Sequence, residues 1–188
     1  MHGEIIYRVS NNKTGSDIIE SKTAELEIGD NTYYILVYSD SELIDRYTVT
    51  IRRRPIYTVK FNTNGGTEIA DMQVEEGSLI TDAKTSKTGY ALSGWDYDFT
   101  TPVTDNLTVT ASWTANTDTP YKTEYYLQNF ENDDYTLTDT VNLQGITAAT
   151  ANAEIKEYTH FTYNQNISTA SGTVNGDGSL VLKLYYTD

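Results

Sequence analysis

Apolar residues recur at every second position along much of this chain, and that period restricts what it can fold into. In LTVTASW, residues 107–113, Leu107, Val109, Ala111 and Trp113 alternate with Thr108, Thr110 and Ser112. The same period runs through Tyr57, Val59 and Phe61, through Tyr121, Thr123, Tyr125 and Leu127, and through Leu180, Leu182, Leu184 and Tyr186. A side-chain period of two fits a strand with one face on a core and the other toward water. Residues 3–54 carry the same signal in Ala24, Leu26 and Ile28, in TYYILVY at 32–38, and in Tyr47, Val49 and Ile51. These predict four strands that lack the partners needed to complete a sandwich. The predicted class is mostly β, with a minor α part. SLITDAKTSKTG, residues 78–89, has room for one or two helical turns. The Ala-rich stretch ITAATANAEIKEY is open between helix and strand, and its threonines favour strand.

Punctuation divides the chain. RRRP at 52–55 and TANTDTP at 114–120 each end in a proline, which favours an extended connection. The predicted organisation is a partial sandwich-like unit at 1–54, a second unit at 55–113, a linker at 114–119 and a third unit at 120–188, arranged as an elongated tandem. The second and third share a plan: an alternating first strand, a central strand marked Gly89-Tyr90 or His160-Phe161, and an alternating last strand. Units of roughly 60 residues bury too little surface to be robust alone, so docking against neighbours is expected. Tyrosine supports thin sheets. It occurs 16 times against four Phe and two Trp, and its ring packs while its hydroxyl stays wet.

The net charge of −14 argues against nucleic acid and against anionic membrane surfaces, both of which call for clustered Lys and Arg. There is no cysteine, which removes disulfides, zinc–thiolate sites and thiol catalysis. No apolar run is long enough to span a bilayer, so no membrane insertion is expected. Met1 to Tyr7 lacks the apolar stretch of an export signal, and the expectation is a piece of a longer chain.

Candidate chemistry is sparse. Asn64-Gly65-Gly66 is not followed by a Gly-Lys-Ser/Thr or a helix start, so it reads as a turn rather than a phosphate loop. Trp95 and Trp113 read as core, because a small unit needs large apolar side chains. His2 and His160 lack the neighbours that nucleophilic catalysis requires. ENDDY at 131–135 and NGDGS at 175–179 are oxygen-rich but read as hairpin turns, since neither fits the twelve-residue calcium loop. No catalytic, cofactor-binding or metal-binding residue is expected, and no enzyme activity.

YTVKFNTNGG, VEEG, KTGYALSGWDYDF and TPVTDNLTVTASW together resemble the Listeria–Bacteroides, or internalin B-type, repeat. The matching positions are Val59, Phe61, Gly65, Gly66, Gly77, Gly89, Tyr90, Gly94, Trp95, Pro102, Val103 and Trp113, and the family's usual prolines are missing from residues 80–89. YKTEYYLQNF, YTLTDTVNLQG, EYTHFTYN and SGTVNGDGSLVLKLYY resemble a mucin-binding-protein-like repeat. LEIGDNTYYILVYSDSELIDRYTVTIRR resembles the C-terminal part of a cadherin-like or immunoglobulin-like surface module. The resemblances imply β-grasp-like folds, a place on the surface or outside of a Gram-positive bacterium, and stalk or adhesive roles. The expected function is a non-enzymatic spacer in a cell-wall or secreted protein. The alternative is a module binding a host glycan or host protein through Tyr125, Tyr126, Tyr185 and Tyr186. A monomer is expected, with association through edge strands left open.

Overall fold

The structure is a computed structural model that describes residues 5–20 and 23–188; His2 lies outside them. The strands in chain order are β1 (Ile5–Ser10), β2 (Gly29–Ser39), β3 (Glu42–Arg53), β4 (Ile56–Asn62), β5 (Met72–Glu75), β6 (Tyr90–Trp95), β7 (Leu107–Ala115), β8 (Thr119–Gln128), β9 (Tyr135–Gly145), β10 (Thr150–Asn152), β11 (Thr162–Tyr163), β12 (Ser171–Thr173) and β13 (Val181–Thr187). The chain divides into two compact units. One comprises Met1–Val59, Met72–Ile80 and Thr100–Leu107; the other comprises Lys60–Asp71, Thr81–Phe99 and Thr108–Asp188.

In the first unit, β1, β2 and β3 form an antiparallel sheet in that order. Asp40 and Ser41, both at positive φ, close the β2–β3 hairpin in two residues, as the right-handed twist of paired strands favours. The sequence predicts four strands here, and the described residues form three. Ala24 to Ile28 does not join the ladder, because side chains take its backbone groups. Asn31 accepts from the Glu27 amide and donates to the Glu27 carbonyl, Arg53 donates to Leu26 O, and the Tyr33 hydroxyl donates to Glu25 O. A backbone already satisfied by side chains has no need of a neighbouring strand.

Two four-stranded sheets follow, β5-β4-β7-β6 and β11-β13-β8-β9. Numbered by chain order within each sheet, the former reads second, first, fourth, third, and so does the latter taken from its opposite edge. The shared plan read from the sequence is therefore a shared strand order. A separate two-stranded sheet pairs β10 with β12 antiparallel, with β11 between them in the chain.

No helix occurs among the described residues, which corrects the minor α part of the predicted class. Residues 78–86 form no helical turn because their backbone groups bond elsewhere. Ser78 O accepts from the Val103 amide, and Ser86 O accepts from the Thr67 amide. In the Ala-rich stretch only Thr150–Asn152 is strand.

The core of the β11-β13-β8-β9 sheet lies on one face. Tyr125, Ala151, Val174, Leu182, Leu184 and Tyr186 are buried there, with Tyr121, Leu127, Tyr158 and Tyr163 packed around them. Burying each of the Val174, Leu182 and Leu184 side chains is worth about 1.5–3 kcal/mol. Two phenols of this core have partners: Tyr125 OH donates to Glu154 O at 3.0 Å, and Tyr186 OH accepts from the Lys156 amide at 3.0 Å; the Tyr158 hydroxyl is buried without one.

Candidate functional site

The residues singled out between 61 and 113 fall into two structural roles. Asn64 and Gly65, at φ 49° and 87°, form a two-residue turn closed by the bond from Gly66 N to Thr63 O at 3.0 Å. Trp113 fills the space beside it. Its Nε1–H donates to Thr63 O at 2.9 Å, and a Cβ added to Gly66 would meet its Cζ2 at 2.6 Å. Lys87 closes the outside, donating to Asn64 O at 3.0 Å while its Nζ sits 4.6 Å from the Tyr90 ring centroid. The NTNGG segment is thus built around an indole, and no phosphate cradle is formed.

The second role is strand shaping. The β6–β7 register shifts between Leu92 and Gly94, and Gly94 adopts φ 147° at that bulge. Beyond it, Trp95 packs edge-to-face on Phe61, with centroids 5.7 Å apart. Gly77, at φ 81°, turns the chain so that its amide reaches Val103 O at 2.8 Å.

Gly89 belongs to a junction with the C-terminal sheet. Lys87 to Tyr90 is a tight turn with Gly89 at φ 80°, and Tyr158 to Phe161 is its counterpart with His160 at φ 70°. His160 is therefore an exposed turn residue and not the strand residue its surroundings suggest. A Cβ on Gly89 would lie 2.3 Å from Gly176 Cα, and a Cβ on Gly176 would lie 2.3 Å from Thr88 O. The two loops touch backbone to backbone. Asn116 N donates to Gly89 O and Thr147 N to Asn116 O, both at 2.9 Å. Thr119 and Thr147, each 4% exposed, share a hydroxyl bond of 2.6 Å. Of the segment read as a linker, only residues 116–118 lie outside strands. Gly176 escaped the sequence reading. The NGDGS turn needs one left-handed residue, and Gly178 at φ 77° supplies it. The surplus glycine was the available signal.

The four tyrosines expected on one ligand surface do not share a face. Tyr125 and Tyr186 are 2% and 1% exposed and lie in the core, which removes them from any contact patch. Adjacent strand residues point to opposite faces, so neither 125–126 nor 185–186 can present both rings together. Tyr126 and Tyr185 are half-buried on the other face, stacked on each other with centroids 4.8 Å apart and planes 19° apart. Tyr135 meets Tyr185 edge-on at 5.1 Å. Each ring of the Tyr126–Tyr185 stack already spends one face on the other.

Beside the stack, Glu124 is buried between cations and a phenol. It accepts from Lys122 Nζ at 2.6 Å and Tyr126 OH at 2.7 Å, with Lys183 Nζ at 3.9 Å. The Lys122 hydrogen bond, then that of Tyr126, holds its carboxyl below the ordinary glutamate value. The same bond to Glu124, with burial, pushes the Tyr126 phenol up to about 12. A raised phenol stabilises the fold fully below the unfolded tyrosine value and loses that contribution as pH rises through about 12. A depressed carboxyl contributes above the unfolded glutamate value and loses it as pH falls through its lowered value. Ultraviolet titration of Glu124→Gln should bring one late tyrosine ionisation down toward the ordinary range. An unchanged profile would show that Glu124 does not hold Tyr126.

Among the described residues, no three His, Cys, Asp or Glu side chains gather as a set that could hold a metal ion. No helix among them is long and apolar enough to cross a membrane.

The turn built on Trp113, the bulge at Gly94 and the close approach at Gly89 all fall within one stretch that has known relatives. Residues 57–137 match the Listeria-Bacteroides repeat domain. This repeat spans less than half of the chain, and the match runs past Trp113 through β8 into β9. The matched family is a repeat domain and not an enzyme family. The chain is also similar to a protein of Evansella cellulosilytica named "Putative membrane protein", 32% identical over 93 residues. That stretch covers 44% of this chain and 14% of the relative, so the chain spans only a small part of the relative's length. No solved structure matches the chain.

Proposed function

We propose that this chain is a non-enzymatic spacer in a bacterial cell-surface or secreted multi-module protein, holding other parts of that protein at a set distance and orientation. The observation that carries the reading is the Gly89–Gly176 junction, where the repeat and the C-terminal sheet meet backbone to backbone with hydrogen bonds through Asn116. A flexible tether would have a polar, unpaired connection there. The Evansella relative's name supports a surface or membrane-associated setting. In this reading both four-stranded sheets are β-grasp-like modules in which the expected helical turns are replaced by non-helical chain. The C-terminal one is of the mucin-binding-protein-like kind, and β1–β3 are part of a cadherin-like or immunoglobulin-like module. No host glycan or protein ligand is assigned, since a contact patch on the C-terminal sheet would rest on Tyr126 and Tyr185 alone.

Spin labels at the exposed positions Asp82 and Gln165, one on each side of the junction, test the reading. A single narrow distance distribution by pulsed electron resonance is expected. A broad distribution would refute a spacer role. Saturable binding on a glycan and host-matrix array, abolished by Tyr126→Ala, would replace it with the binding role.

A further inference from the structure

The C-terminal sheet places its first and last strands side by side. β8 and β13 pair in parallel over six residue pairs, from Lys122↔Val181 to Leu127↔Tyr186. The chain therefore enters the pair at one end and leaves at the other. Tension between the entry and exit points pulls the strands along each other, and every bond in the ladder bears load at once. A pull at two neighbouring ends would break the bonds one after another.

The side chains on the outer face fix the register of this pair. Tyr126 stacks on its partner Tyr185, and Glu124 lies opposite its partner Lys183 with Lys122 on its other side. On the inner face Tyr125, Leu182, Leu184 and Tyr186 are buried in the core. Sliding by one two-residue step would part the tyrosine stack and the Glu124–Lys183 pair, and would drag four core side chains out of place. β8 is held on its far side by ten pairs with β9.

We infer that β8 and β13 form a shear-loaded clamp, with the Tyr126–Tyr185 stack and the Lys122–Glu124–Lys183 charges as its register pins. This assigns a mechanical role to a polar and aromatic cluster that otherwise resembles a ligand surface. The inference rests on the spacer reading for its relevance, but the two fail separately. A rigid junction with a weak clamp would leave the spacer reading standing, and a strong clamp beside a loose junction would not rescue it.

The chain has no cysteine, so introduced pairs give defined attachment points in the full chain. Asp118, Ser179 and Asp188 are exposed. Single-molecule pulling through Asp118→Cys and Asp188→Cys loads the clamp in shear. Pulling through Asp118→Cys and Ser179→Cys peels the same two strands from neighbouring ends. At equal loading rate the first geometry should need about twofold more force or higher, since the ladder over all six residue pairs must fail together. The chain length released at each event reports whether the sheet was folded when loading began. Tyr185→Thr keeps a strand-favouring residue and should lower the force in shear while leaving the peeling force unchanged. Equal forces in the two geometries would overturn the clamp, and an unchanged shear force in Tyr185→Thr would overturn its pins.

Discussion

Trp113→Ala is expected to lower the stability of the repeat by about 3–5 kcal/mol, the usual cost of truncating a large aromatic side chain in a packed site. Three losses coincide. The indole leaves a void beside Gly66, whose missing side chain exists to admit it. Thr63 O loses one of the bonds that tie the Asn64-Gly65 turn to β7. A small unit also has little stability to spare. The chain has two tryptophans, so the fluorescence of Trp95 reports the transition in the variant without interference. The expected result is a urea midpoint shifted sharply down, or a signal already unfolded in buffer. A change under about 1 kcal/mol would show that the turn does not depend on the indole.

Gly176→Ala is the second large effect. The added methyl would lie 2.3 Å from Thr88 O and 2.9 Å from Thr88 C, both backbone atoms that no rotamer change can move aside. The loops must separate, at a cost of about 1–3 kcal/mol. The amides of Thr147 and Asn116 report this directly, because Thr147 N bonds Asn116 O and Asn116 N bonds Gly89 O across the contact. Their hydrogen exchange should speed up roughly 10–100-fold, while amides inside the β8–β13 ladder keep their protection. Asp177→Ala, one residue away and exposed, should leave both amides as they are. Unchanged exchange in Gly176→Ala would mean that the contact does not hold the two parts together.

What could be read from the residues was local. Alternation gave the buried rows Val59–Phe61, Val109–Ala111 and Leu182–Leu184–Tyr186, because a strand's period is set by the backbone itself. It also contained the answer for Tyr125 and Tyr186, since both sit in rows assigned to the interior; treating neighbouring tyrosines as one patch ignored that period. The missing strand at 24–28 could not be found the same way. Whether Asn31 and Arg53 reach those backbone groups depends on where the hairpin brings them. The absence of helix at 78–89 has the same origin, since Thr67 and Val103 supply the competing partners. The junction was least legible, because the contact of Gly89 with Gly176 joins positions far apart in the chain. Among the candidate positions, the Gly66–Trp113 pairing emerged only when β7 was placed beside the turn.

The common strand order of the two four-stranded sheets carries a hazard during synthesis. Neighbours with the same connectivity invite exchange, in which a late strand from one inserts where its equivalent belongs in the other. The two sheets guard against this with unlike inserts. The last strand of one brings an indole shaped to a glycine turn, whereas the last strand of the other brings a tyrosine that needs an aromatic partner in register. A trespassing strand would find neither lock fitted to its key, so the unlike last strands favour the native pairing in each sheet.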